Sequence, residues 1–103
     1  MPYRDSNGRI TIDEVAANND IRKLRQSIEH MQAAIGNLQE ILAQAESFSG
    51  NTADQIRETT NFLIRSIRQS ISDSEAAISQ IQSTVAKYRR IDEELKQKVI
   101  LDQ

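Results

Sequence analysis

The 103-residue chain has no cysteine and no tryptophan, one proline, one histidine, three glycines and only 4% aromatic residues. Without cysteine it can form no disulfide framework, thiolate nucleophile or cysteine-based zinc knuckle, so thiol chemistry is excluded. Excess charge is also lacking. Thirteen Lys and Arg against fifteen Asp and Glu leave a formal charge of −2, with no net attraction to phosphate backbones or anionic lipid, so neither nucleic acid nor a membrane surface is an expected partner. No run of about 18 apolar residues occurs, which predicts no membrane insertion. The N-terminus has no apolar stretch behind a basic start, so any export is expected to proceed without a cleaved signal peptide. At 38% hydrophobic content the chain is one small domain at most, too thin in apolar residues for a thick core. No enzyme, cofactor or metal site is expected.

What is present is long helical periodicity. Residues 1–10, with Pro2, Asp5, Ser6, Asn7 and Gly8, carry turn formers and no period, and read as a flexible arm. The hairpin is assigned to 11–103. Thr11 precedes Glu14 by three residues, the reciprocal capping spacing that opens a helix. Ile21, Leu24, Ile28, Met31, Ile35, Leu38, Leu42 and Ala45 then alternate in steps of three and four, a heptad seam that no strand produces. Gly36 lies off this seam, either as a plain helix-interior cost or as a place where another backbone approaches closely.

The only internal cluster of turn residues is Ser47-Phe48-Ser49-Gly50-Asn51, where Gly50 can take the left-handed conformation that ends a helix. Phe48 can fold over this turn and cover the end of the seam. Thr52 and Gln55 repeat the capping spacing. A second seam follows at Ile64, Ile67, Ile71, Ser74, Ile78, Ile81, Val85, Tyr88, Asp92, Leu95 and Val99. The expected fold is all-α, an antiparallel two-helix hairpin with helices over about 12–47 and about 52–100.

The arms are unequal. A first helix of about 36 residues spans ~54 Å and a second of about 48 spans ~72 Å, so the first runs out near Tyr88 and residues from about Arg89 lack a neighbour within the hairpin. Apolar residues also fall off the seams, at Val15, Ala33, Ala34 and Ile41 and at Ile56, Phe62, Leu63, Ala77, Ile91, Ile100 and Leu101. Scattered apolar side chains are ordinary on a surface. The alternative is a four-helix bundle completed by a second hairpin, identical or different, because a single seam does not clearly offset the ordering entropy. The candidate partner interface is Ile56, Phe62, Leu63, Ile91, Leu95 and Val99.

Candidate chemistry is sparse. His30 is the single histidine and has no helical metal partner. The many carboxylates are expected on exposed faces with no pocket to shift their pKa values, and Arg22, Lys23, Arg25, Arg57, Arg65 and Arg68 are interleaved with acids as solvated faces. Tyr88 and Asp92 are consecutive seam positions one turn apart and present one face together. They are either a packed tyrosine beside a solvated acid or a recognition pair.

Phe48-Ser49-Gly50 at the turn and Tyr88-Arg89-Arg90-Ile91-Asp92 near the C-terminus resemble the WXG superfamily. These are small helical hairpins of the type VII secretion systems of Gram-positive bacteria and mycobacteria. Its pattern is Trp-x-Gly at the turn and Tyr-x-x-x-Asp/Glu on the second helix, the latter part of an export signal. Length, the two-helix plan and both motifs agree across nearly the whole chain. Phe48 replaces the tryptophan and the first arm is longer, which fits a divergent relative that pairs with the helical N-terminal domain of a larger type VII toxin. The resemblance implies a noncatalytic targeting factor that binds a toxin or a sister hairpin, or forms a homodimer. Tyr88 and Asp92 would then be read by the secretion motor ATPase. Such a protein is cytoplasmic before export and then secreted. The other reading is a cytoplasmic coiled-coil chaperone or scaffold for a different helical client.

Overall fold

The computed structural model describes residues 13–101, the last three by backbone alone. Two helices account for it: α1, Glu14–Ala45, and α2, Gly50–Leu101. They contain 32 and 52 residues, about 48 Å and about 78 Å of helix. No strand occurs among the described residues, and the all-α hairpin expected from the two seams is present. The arm at 1–10 and the capping residue Thr11 lie outside the described residues.

The start of α1 differs from the expected capping box. Asp13 is the cap: its carboxylate accepts the Ala16 N–H at 3.0 Å, and its carbonyl accepts the Ala17 N–H at 3.0 Å. Glu14, the residue assigned to reciprocate with Thr11, instead directs its carboxylate to α2. A charged cap one residue before the first helical position satisfies an orphan N–H and complements the helix dipole.

The turn also departs from expectation. Gly50 has φ of +73°, the left-handed conformation that favours glycine, yet it stands at the start of α2 and does not end α1. The close of α1 comes earlier. Ser47 N–H and Phe48 N–H donate to the carbonyls of Gln44 and Ala45 at 3.1 and 3.0 Å, and the Ser47 hydroxyl adds a bond of 2.7 Å to Gln44. These i to i−3 bonds tighten the last turn and occupy carbonyls that would otherwise be orphaned. Thr52 consequently falls inside α2, two residues past Gly50, where the expected Thr52–Gln55 box has no helix start to cap. Phe48 does not seal the seam, since its ring is 53% exposed. Fully buried Ala45 and Ala53 flank the turn instead. With side chains this small the helix backbones can approach closely there, leaving little space for a phenyl ring to fill.

Both seams lie inward through their paired length. On α1, Ile21 and Ala45 are buried and the six seam residues between them are half-buried. On α2, Ile64 and Ile78 are buried, and Ile67, Ile71, Ser74, Ile81, Val85 and Tyr88 are half-buried. The α2 seam also extends toward the turn through Thr60, Ile56 and Ala53. The steps there run four, four, three, a local departure from the heptad that shifts the phase of the inward face. This shift explains why Ile56, assigned to a partner interface, is half-buried while Arg57 is exposed.

The chain divides into two compact units. The turn-proximal unit is Leu24–Glu75; the distal unit comprises, among the described residues, 13–23 and 76–101. In the proximal unit Thr60 is a buried polar residue at 5% exposure. No buried side-chain nitrogen or oxygen among the described residues lacks a hydrogen-bond partner. In the distal unit Ala17 and Ile21 of α1 and Ile78 of α2 form the buried set.

Because Ile64 lies on the seam and Phe62 outside it, their truncations should differ. Ile64→Ala is expected to lower the unfolding free energy by about 2–4 kcal/mol, and Phe62→Ala by less than about 0.5 kcal/mol in the isolated chain. Denaturant unfolding followed by circular dichroism measures both, and equal losses would refute the seam assignment.

Candidate functional site

The distal unit contains the junction at which α2 outruns α1. Tyr88 is the last half-buried residue of α2 among those whose side chains are described; from Arg89 through Lys98 every side chain is exposed. Arg89 is nevertheless not without a neighbour, as its position beyond the expected end of α1 implied. Its guanidinium grips Glu14 in a two-pronged pair, Nε to Oε1 at 2.5 Å and an Nη to Oε2 at 2.8 Å. This happens because α1 begins at Glu14, close enough for the long arginine side chain to reach back across the hairpin.

The pair perturbs both members. The hydrogen bond from Arg89 holds the Glu14 carboxyl below its ordinary value, opposed by desolvation and aided by the attraction of opposite charges. The same bond raises the arginine. The expectation that no carboxylate is shifted is therefore corrected at Glu14, whose partner on the other helix makes a fork-shaped contact.

Asp92 is exposed and pairs with Lys96 one turn further on at 3.4 Å. Tyr88 and Asp92 therefore sit at the boundary between paired and exposed α2, the first partly covered and the second solvated. Ile91 and Leu95, assigned to a partner interface, are 37% and 57% exposed on the same stretch. Val99 lies beyond the described side chains.

A second candidate surface belongs to the turn-proximal unit and was not visible as a surface from spacing alone. In an antiparallel coiled coil, residues one position before the first seam residue of each heptad flank the same side of both helices. On this side α1 places Ser27, Ala34 and Ile41, with His30, Asn37 and Gln44 just outside them. Its α2 counterparts are Leu63 and Ser70, with Thr59, Ser66 and Asp73 outside. Ile41 and Leu63 are 43% and 42% exposed, and Asp73 is the sole charge among these positions. The opposite flank carries Arg25 and Glu29 on α1 and Glu58, Arg65, Arg68 and Glu75 on α2, with Glu46 just past the end of α1. Charge is thus segregated to one side. Phe62, 60% exposed, borders the neutral flank on its outer edge. Gly36 lies on the charged side, and nothing stands within 4 Å of where its Cβ would be, so it is not a point of close backbone approach within the hairpin.

Among the described residues, no cluster of three or more His, Cys, Asp and Glu is placed to hold a metal. No helix among them is long and apolar enough to cross a membrane. Comparison with family models, curated proteins and solved structures returns no match for this chain.

Since the folded chain holds Glu14 below its usual value, the pair contributes fully above the carboxylate range, and that contribution is lost as pH falls through the folded-state value. Arg89→Ala is expected to move the Glu14 titration midpoint upward, read by NMR on its side-chain carboxyl carbon. An unchanged midpoint would show that the pair does not persist in solution.

Proposed function

We propose that this chain is a noncatalytic helical partner and targeting factor of a type VII secretion system, similar to divergent members of the WXG superfamily. The observation that carries the reading is the position of Tyr88 and Asp92: they straddle the point where packed α2 gives way to its exposed stretch, the tyrosine half-buried and the acid open to a reader protein. A Tyr-x-x-x-Asp pair buried mid-hairpin would not serve as a signal. Here the tyrosine is partly covered and the acid is solvated, as a composite recognition face requires.

The partner in this reading is helical and docks on the neutral flank of the turn-proximal unit. Burying a charged flank would desolvate ions at a cost their pairing seldom repays, whereas a flank of Ile, Leu, Ala and Ser loses little on leaving water. Ile41 and Leu63 on this flank, 43% and 42% exposed, supply apolar surface that such a partner would cover. The partner is a toxin's helical N-terminal domain or a sister hairpin, and the complex is exported from the cytoplasm by the secretion motor.

Two sets of variants separate binding from targeting. Leu63→Asp is expected to weaken partner binding at least about tenfold, the order expected for burying an unpaired carboxylate, while Arg65→Asp on the charged flank leaves it within about twofold. Tyr88→Ala and Asp92→Ala are expected to abolish export with helix content and partner binding intact. Normal export of both alanine variants would overturn the targeting role. Equal effects of the two aspartate variants would overturn the docking face.

A further inference from the structure

We infer that Glu14 and Arg89 act as positioning residues for the Tyr88–Asp92 face. Together they form a brace that fixes the first turn of α1 against α2 and keeps the arginine away from the signal carboxylate. The inference rests on the recognition role proposed for Tyr88 and Asp92.

Three features of the distal unit support it. Arg89 follows Tyr88 directly, so whatever fixes the arginine also fixes the backbone that carries the ring. A two-pronged guanidinium contact constrains orientation as well as distance, which a single hydrogen bond does not. Glu14 is itself anchored, as the first helical residue behind the Asp13 cap and three residues before fully buried Ala17. The brace therefore joins two well-held points at the place where apolar packing ends.

Location also gives the pair an effect on Asp92. Arg89 and Asp92 are three apart on one helix, a spacing at which opposite charges readily meet. While Glu14 holds the arginine through Nε and one Nη, Asp92 pairs with exposed Lys96 and stays accessible. Releasing Arg89 frees it to cover the acid. A solvated ion pair of this kind adds little to global stability, so the brace is expected to govern presentation with little effect on folding.

The chain has two tyrosines and no tryptophan, so in a Tyr3→Phe background fluorescence quenching by neutral acrylamide reports the Tyr88 ring alone. Arg89→Ala and Glu14→Arg, each in that background, are expected to increase quenching and to reduce export several-fold at unchanged helix content. The exchanged pair Glu14→Arg/Arg89→Glu is expected to restore both, and Arg89→Lys only in part, because an ammonium lacks the fork. Wild-type quenching and export in Arg89→Ala would overturn the brace, as would failure of the exchanged pair to restore them. In either case loss of export in Tyr88→Ala would leave the recognition reading standing. Normal export of Tyr88→Ala would instead remove that reading, and the brace's purpose with it.

Discussion

Everything described depends on one seam, the line of aliphatic side chains along which α1 and α2 bury each other. Its ends are closed by small residues: Ala45 and Ala53 beside the turn are essentially inaccessible, and Ala17 is so near the start of α1. Between them the large side chains are mostly half-buried, and among the described residues no large side chain is fully enclosed. Two helices in contact can shield only the strip facing the partner helix. Each unit therefore has much less burial than a third and fourth helix would supply.

The seam was legible in the sequence because a three-four alternation admits few other structures. From Ile21 to Ala45 and from Ile64 to Tyr88 every position the period marks is buried or half-buried, with Ala34, Ala77 and Thr84 half-buried beside them. The ends were less legible, and the reasons are local. Several residues near a helix start can act as caps, and spacing does not rank Thr11 against Asp13; the carboxylate of Asp13 makes the observed bond. At the turn, the glycine of positive φ is identifiable by type, but whether it closes one helix or opens the next depends on the i to i−3 bonds at Ser47 and Phe48. Thr60 and Ile56 were missed as seam residues because the phase slips by a four-four step, and a slip breaks the pattern used to find it.

Two features of the candidate site required three dimensions. The Glu14–Arg89 pair joins residues 75 apart, with no local signal beyond two common residue types. The neutral flank arises only when the heptad positions of both helices are set side by side; along the chain its residues are interrupted by the charges of the opposite flank. The motifs Phe48-x-Gly50 and Tyr88-x-x-x-Asp92 were visible directly, and the structure distinguishes their surroundings. Phe48 is an exposed aromatic beside a turn held by hydrogen bonds and alanines, whereas Tyr88 and Asp92 straddle the end of the packed seam. The turn-proximal unit thereby carries a neutral flank and the distal unit a polar stretch of α2.

The central claim is that this seam is half of a core whose remainder belongs to a partner. Thermal unfolding of the purified chain by circular dichroism, repeated across a range of concentrations alongside sedimentation velocity, tests it most directly. The account predicts either self-association, with a midpoint that rises with concentration, or a weakly cooperative monomer that gains helix content and a sharp transition when its helical partner is added. A stable monomer at micromolar concentration, unfolding cooperatively at a midpoint independent of concentration, would contradict it.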